Sequence, residues 1–289
     1  MYPPKFDYYR AHSVDEALSL LQQHGDNAKL LAGGHSLIPL MKTRLAQPAV
    51  LIDIGRIDAL KGIHVDGDTL RIGPLTTHAD IAASEDVQQR AAALADAAGV
   101  VGDIQVRNRG TIGGNLAHAD PASDLPATVL ALGGEIDVQG PNGARTVAAD
   151  DFFQGLFTTA LEADEIITAI RIPTGGGTRV SAYVKFPHPA SGYAVVGVAV
   201  ALELDGQTIT SARVAANGAF ECAKRLSGAE EALSGSTASE ETIAAAAQRA
   251  GEGFTVDDFM SDIFASSEYR AHLLAVYTRR ALQKALDRA

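Results

Sequence analysis

Short apolar runs and helical stretches take turns along the first 175 residues, and the order changes after that. Phe6–Arg10 reads as a strand. Ser13 then opens a helix, with Glu16 completing a capping box, and the helix runs to about His24 before stopping near Gly25. Lys29–Leu31 is a short strand that feeds into a glycine turn, a second helix covers Ser36 to about Lys42, and Val50–Ile54 is a buried type of strand. This makes a compact βαβ-like unit. Gly62–Val65 and Thr69–Ile72 flank Asp66-Gly67, a hairpin signal. Helices are expected over 78–84 and 86–98. Asp120 and Pro121 read as N-cap and first position of another helix, reaching about Leu132. Gly134–Gln139 and Ala144–Val147 flank Asn142-Gly143, a second hairpin signal, and Glu165–Ile172 is a strand that ends at Pro173.

Thr174–Thr178, with three consecutive glycines, is a flexible joint and the expected domain boundary. Beyond it the chain gives three strands, Val180–Phe186, Ala194–Leu204 and Thr208–Ala215. Helices follow at about 221–233, 239–250 and 267–287. Strands followed by helices predict an α+β layer.

Composition narrows the function classes. The 289 residues carry a net charge of −11, with no basic cluster of the kind nucleic acid or an anionic membrane selects. No apolar stretch approaches the ~18 residues that span a bilayer. The N-terminus, Met-Tyr-Pro-Pro-Lys-Phe-Asp, lacks the apolar core of a signal peptide, so a cytoplasmic location is expected. A single cysteine, Cys222, cannot hold an iron–sulfur cluster, which takes about four thiolates. No His, Cys and carboxylate spacing reads as a metal site, so metal chemistry would sit on another chain.

Two glycine turns carry the candidate chemistry: Ala32-Gly33-Gly34-His35-Ser36 and Thr111-Ile112-Gly113-Gly114-Asn115. Paired glycines let a backbone approach a ligand closely, and successive amides make a concave anion nest. Two nests suit a ligand with two linked phosphates. Taken singly, each motif also fits a plain connecting turn. The polar, non-periodic run around the second, from Val106–Arg109 to His118–Asp124, favours a functional loop. The dinucleotide fingerprint G-x-G-x-x-G, the phosphate loop of nucleotide hydrolases and the G-x-S-x-G nucleophile elbow are all absent.

Ala32–Lys42 (Ala-Gly-Gly-His-Ser-Leu-Ile-Pro-Leu-Met-Lys) and Ile104–Asn115 (Ile-Gln-Val-Arg-Asn-Arg-Gly-Thr-Ile-Gly-Gly-Asn), with the C-terminal layout, resemble the FAD-binding medium subunits of molybdenum hydroxylases. That family serves aerobic carbon monoxide dehydrogenases and xanthine-dehydrogenase-like enzymes, and the resemblance covers essentially the whole chain. It implies an α+β chain: a two-part FAD domain of the vanillyl-alcohol-oxidase (PCMH) type over 1–175, divided near residue 58, and a separate α+β flavoprotein domain over 176–289. It implies that Ala32, Gly33, Gly34, His35, Ser36 and Leu37 wrap the pyrophosphate and nearby ribityl chain, and that Thr111, Gly113, Gly114 and Asn115 form the second nest. His118 and Asp124 match positions facing the ribityl or pyrophosphate, and Ile167 an apolar residue beside the isoalloxazine. Lys185 and Tyr193 match the segment flanking the flavin ring, Val184–Tyr193, which reads as a loop.

The same resemblance implies FAD on this chain, [2Fe-2S] clusters on a small partner subunit and a molybdenum cofactor on a large one. Electrons would pass from the clusters to the FAD and on to an external acceptor. No residue here would act as acid or base on the organic substrate. A dimer of heterotrimers is the expected assembly, with residues 103–110 and the glycine turns as candidate docking surface. Two other classes stay open: a stand-alone FAD oxidase of the same fold, and a nucleotide-binding module without redox chemistry.

Overall fold

The computed structural model describes residues 2–289. A three-stranded parallel sheet opens the chain, with Val50–Asp53 between Asp7–Arg10 and Ala28–Leu31. Val50, Leu51 and Ile52 are all buried, as a central parallel strand covered on both faces requires. The helix Val14–His24 lays Ala17, Leu18 and Leu21 into this core. It starts where the sequence places it, since the Ser13 side chain accepts from Glu16 N, but the expected capping box does not close, because Glu16 Oε2 accepts from His12 N and not from Ser13 N. Gly25, at φ 52°, ends it.

A five-stranded antiparallel sheet follows. Its order is Ile63–Asp66, Thr69–Ile72, Ile166–Pro173, Glu135–Gly140 and Gly143–Ala148. The inner strands bury Leu70, Ile72, Ile136, Val138, Ile170 and Ile172 in one core with short helices, of which Ile112–His118, Glu85–Arg90 and Ala149–Phe152 lie nearest to them. A small hairpin, Phe153–Gly155 with Thr158–Thr159, hangs off this unit.

The C-terminal sheet is antiparallel, in the order Thr178–Pro187, Ala194–Asp205, Thr208–Asn217, Lys224–Arg225. Its long central strand shows why two layers can grip it. Val196, Val198, Val200, Leu202 and Leu204 face the helices Ser227–Leu233, Glu240–Gln248 and Ser267–Leu286. The alternate residues Ala199 and Ala201, with Ala215 from the next strand, join the core of the preceding domain. Period-two alternation thus puts branched side chains on one face and small ones on the other. The small face lets Ala92–Gly99 and Asp124–Ala131 approach.

Five local expectations need correction. The helix expected over 86–98 breaks at Ala91 (φ −144°, ψ 52°) into Glu85–Arg90 and Ala92–Gly99. The helix expected from Asp120 begins at Asp124, because the Asp120 carboxylate accepts from Ala122 N and closes a turn instead. The polar run over 106–124 is not a continuous loop, since it carries the end of the helix Ile104–Arg107 and the whole of Ile112–His118. The helix expected from 221 starts at Ser227, after the short strand Lys224–Arg225. Val184–Tyr193 is not all loop, for strand pairing holds as far as Pro187. Among the described residues, no helix is long and apolar enough to cross a membrane.

Candidate functional site

The first glycine turn leaves the strand Ala28–Leu31 and enters the helix Leu37–Lys42. Gly34 takes φ +77°, a conformation that excludes most side chains. Among the described residues, the amides of Gly33, Gly34, His35, Ser36 and Leu37 meet no acceptor, and Ser36 makes no capping bond. Consecutive bare donors before a helix are the kind of backbone that can receive an anion. His35 Nε2 is held 3.2 Å from the carbonyl of Gln105, which ties the turn to the segment before the second motif.

The second motif differs from the nest expected of it. Thr111 is the N-cap of Ile112–His118 and accepts from Gly114 N at 3.3 Å. Ile112 N donates to Thr76 O, Gly113 N to Pro74 O and Asn115 N to Thr111 O. Its amides are therefore engaged inside the protein. The glycines serve close packing instead. A Cβ on Gly113 would collide with Pro74, and one on Gly33 with the Arg109 carbonyl. The two motifs are brought together backbone against backbone, and what the second offers a ligand is side chains: the Thr111 hydroxyl and the Asn115 amide, whose Oδ1 accepts from Ser123 Oγ at 2.7 Å.

A cleft of about 540 Å³ opens along both segments. Ala32, Gly33, Asn108, Arg109 and Thr111 line it together with Arg10, Asp53, Arg56, Lys61, Thr77 and Asp80. It lies beyond the carboxyl ends of the parallel strands, where open α/β sheets bind ligands. Sequence reading missed Arg10, Asp53 and Arg56. Their places just at or after strand ends were the available signal. Asp53 is bonded by the Tyr8 hydroxyl and by Gly55 N, and although burial pushes its carboxyl up, these bonds and Arg10 hold it below the usual range.

His78 sits behind the second motif. It is buried, and a Cβ on Gly110 would lie 2.8 Å from its ring. Burial, with the nearby His35 and Arg107, lowers its pKa to about 4, so it is neutral at physiological pH.

Asp124 and Lys185 meet in a buried ion pair at 2.8 Å. Lys185 Nζ also donates to Val100 O at 2.9 Å and to Gly192 O at 2.8 Å. An ammonium has three protons, so all are committed within the protein. Asp124 Oδ1 accepts from the Tyr183 hydroxyl at 2.6 Å. Burial pushes the Asp124 carboxyl up, with Lys185 and Tyr183 opposing it. Tyr193 lies half-exposed at the edge of this cluster, its hydroxyl pKa raised by burial and by Asp120 and Asp124. The His118 ring packs on Phe157, with centroids 5.1 Å apart. Ile167 is buried in the core of the five-stranded sheet, paired with Val138. Tyr183 was not foreseen. Among the described residues, no cluster of His, Cys, Asp and Glu could hold a metal ion.

Two family models account for nearly the whole chain. Residues 4–175 match the FAD binding domain in molybdopterin dehydrogenase, and residues 181–285 match the CO dehydrogenase flavoprotein C-terminal domain. The chain belongs to this family. It is similar to the carbon monoxide dehydrogenase medium chain of Hydrogenophaga pseudoflava, at 41% identity over 288 residues, 100% of this chain and 99% of the relative. It is also similar to the nicotine 6-hydroxylase medium subunit of Paenarthrobacter nicotinovorans, at 39% identity and 98% of each chain. The solved carbon monoxide dehydrogenase of H. pseudoflava superposes over 100% of both chains with a TM-score of 0.94. The α+β fold with two family units is therefore that of the medium chains. The protein is an FAD-binding oxidoreductase component, the medium chain of a multi-subunit dehydrogenase or hydroxylase. Its residues fit FAD: the bare amides of Gly33–Leu37 supply the donors that a diphosphate needs.

Proposed function

We propose that this chain is the FAD-carrying electron-transfer subunit of a cytoplasmic molybdenum hydroxylase, receiving electrons from [2Fe-2S] clusters on a small subunit and delivering them to an external acceptor. The observation that carries the reading is the row of unpartnered amides from Gly33 to Leu37 beside a large cleft. These amides, with Ala32 and the hydroxyls of Ser36 and Thr111, hold the pyrophosphate. Gly33 lets the first turn close on Arg109 and Gly110 before the second helix entrance, Gly113 lets that entrance pack on Pro74, Gly114 faces Ala32, and Asn115 and His118 offer side chains to the bound cofactor. Asp124, Lys185 and Tyr193 flank the ring end, and Ile167 contributes an apolar wall. FAD, when bound, supplies an isoalloxazine that takes electrons singly and gives them up in pairs. The chain's own residues bind and orient it and set its surroundings. None acts as acid or base on the organic substrate.

The cluster and the molybdenum site belong to partner chains. Cys222, the single cysteine, is buried, and among the described residues no group of His, Cys, Asp and Glu is placed to hold a metal ion. Residues 103–110, with Ile104 exposed, form the face for the small subunit. The complex pairs as a dimer of heterotrimers, and the chain divides into 1–175, with a seam near 58, and 176–289. Relatives named for carbon monoxide and for nicotine match this chain almost equally well, in keeping with substrate choice on the large subunit.

The test is spectroscopic. The purified full chain should take up about one FAD and show flavin absorbance. A candidate substrate should bleach that absorbance only when the small and large subunits are present. A chain that stays colourless in excess FAD sinks the reading. Bleaching by substrate in the isolated chain points instead to a stand-alone oxidase.

A further inference from the structure

Tyr183, Gly197 and Asn217 come from three adjacent strands of the C-terminal sheet and meet at the Tyr183 hydroxyl, which reaches Asp124 of the preceding domain. Tyr183 is fully buried, and its hydroxyl lies 2.6 Å from Asp124 Oδ1 and 3.2 Å from Asn217 Oδ1. A phenol has one proton to donate. The shorter contact, to a carboxylate, takes it. Asn217 is completely buried, and its Nδ2 has no partner as the amide is oriented. Rotating the amide by half a turn presents Nδ2 to the Tyr183 oxygen and leaves Oδ1 as the amide atom without a partner among the described residues. Tyr183 then donates to Asp124 and accepts from Asn217. Gly197 makes the arrangement sterically possible, because a Cβ there would collide with the Tyr183 hydroxyl.

The same sheet holds the approach to Asp124 through its backbone. Ala194 N donates to Ala122 O, and Gly218 N to Pro121 O. Ser123 in turn bonds Asn115 in the second glycine motif. A continuous path thus runs from the C-terminal strands, through residues 121–124, to the motif that closes on the first turn.

We propose that Tyr183, seated over Gly197 and oriented by Asn217, is a positioning residue through which the C-terminal sheet sets Asp124, and with it the Asp124–Lys185 pair, at the flavin site. This rests on the FAD reading above. The rest of the cluster agrees with it. Lys185 has no free proton, so its direction is fixed by its partners, and Asp124 is the one partner that a C-terminal side chain can steer. Asp124 is an acceptor on both oxygens, one for each of the two strand residues Tyr183 and Lys185.

Tyr183→Phe keeps the ring and deletes only the hydroxyl, and Asn217→Ala, run beside it, relaxes the orientation without touching Asp124. Both are made in the full chain. The measurements are the FAD dissociation constant by flavin fluorescence, the flavin absorption spectrum and midpoint potential, and the melting temperature of the cofactor-free protein. The expected result is an FAD constant weakened about tenfold in Tyr183→Phe, the order lost with a hydrogen bond to a charged group. The absorption band and potential should shift in the same variant, with smaller changes in the same direction for Asn217→Ala. Lower melting temperatures with unchanged affinity, spectrum and potential mean a merely structural role and overturn the inference. A wild-type chain that takes up no FAD overturns the site reading itself, and this inference with it.

Discussion

At the scale of single residues, the site is held by groups whose polar atoms answer to the protein first. The buried His78 is the exception, for its ring Nδ1 has no hydrogen-bond partner among the described residues. Its ring is neutral in the fold because burial lowers its pKa to about 4, against an ordinary value of 6.5. A group that binds fewer protons folded than unfolded contributes stability that is complete above the unfolded value and lost as pH falls through the window to the folded one. Stability should therefore decline between pH 6.5 and 4 by roughly 3 kcal/mol from this residue. Urea unfolding at stepped pH checks this, and His78→Gln should flatten that limb. The glycines teach a related lesson. Paired glycines announced close approach in the sequence, and Gly33 and Gly113 do approach other backbone. Which neighbour each meets, Arg109 for one and Pro74 for the other, depends on contacts distant in sequence. For the same reason the engaged amides of the second motif could not be foreseen.

At the scale of elements, local chemistry decided most boundaries and long-range contacts decided the exceptions. Ser13 and Gly25 bracket their helix as cap residues should. Asp120 looked equally like a cap, but its carboxylate turned back on Ala122 N, and Ser123 took the N-cap position. The helix Ala92–Gly99 shows a device invisible in its own sequence. Ala91, its N-cap, has no side chain able to cap, and the amide of Ala93 is instead satisfied by Ser181 Oγ at 3.0 Å, from a strand of the other domain. Ser181 is buried. Ser181→Ala should cost about 1–2 kcal/mol, the range for a lost cap that leaves a buried donor. The urea midpoint reads it. An unchanged midpoint would mean that water reaches Ala93. Asp124 was legible as a candidate from the resemblance, whereas Tyr183 was not, because a tyrosine in an apolar strand reads as core until the carboxylate opposite it is known.

At the scale of the whole molecule, the C-terminal sheet has one face in each of two apolar cores, and the small-residue face around Ala199, Ala201 and Ala215 welds the C-terminal layer to the helices beside the site. The ordering of strands and then helices after Thr178 was plain from hydrophobic rhythm. The weld was not, since alternating valine and alanine names two faces without naming what covers them. A cofactor that binds only the folded chain must stabilise all of it. FAD at a hundredfold excess over its dissociation constant should add about 2.7 kcal/mol. Thermal unfolding with and without FAD measures this, and no shift would mean no binding.

The amides of Gly33–Leu37 face no acceptor, whereas those of Ile112–Asn115 are already spoken for. One jaw of the clamp is thus finished before the cofactor arrives, and the other waits for it. In heavy water the waiting jaw should trade its protons quickly in the empty protein and slow sharply once FAD is seated, while the finished jaw trades slowly in both states. The polypeptide has already shaped that turn, and the cofactor, on this account, would supply only the acceptors its amides lack.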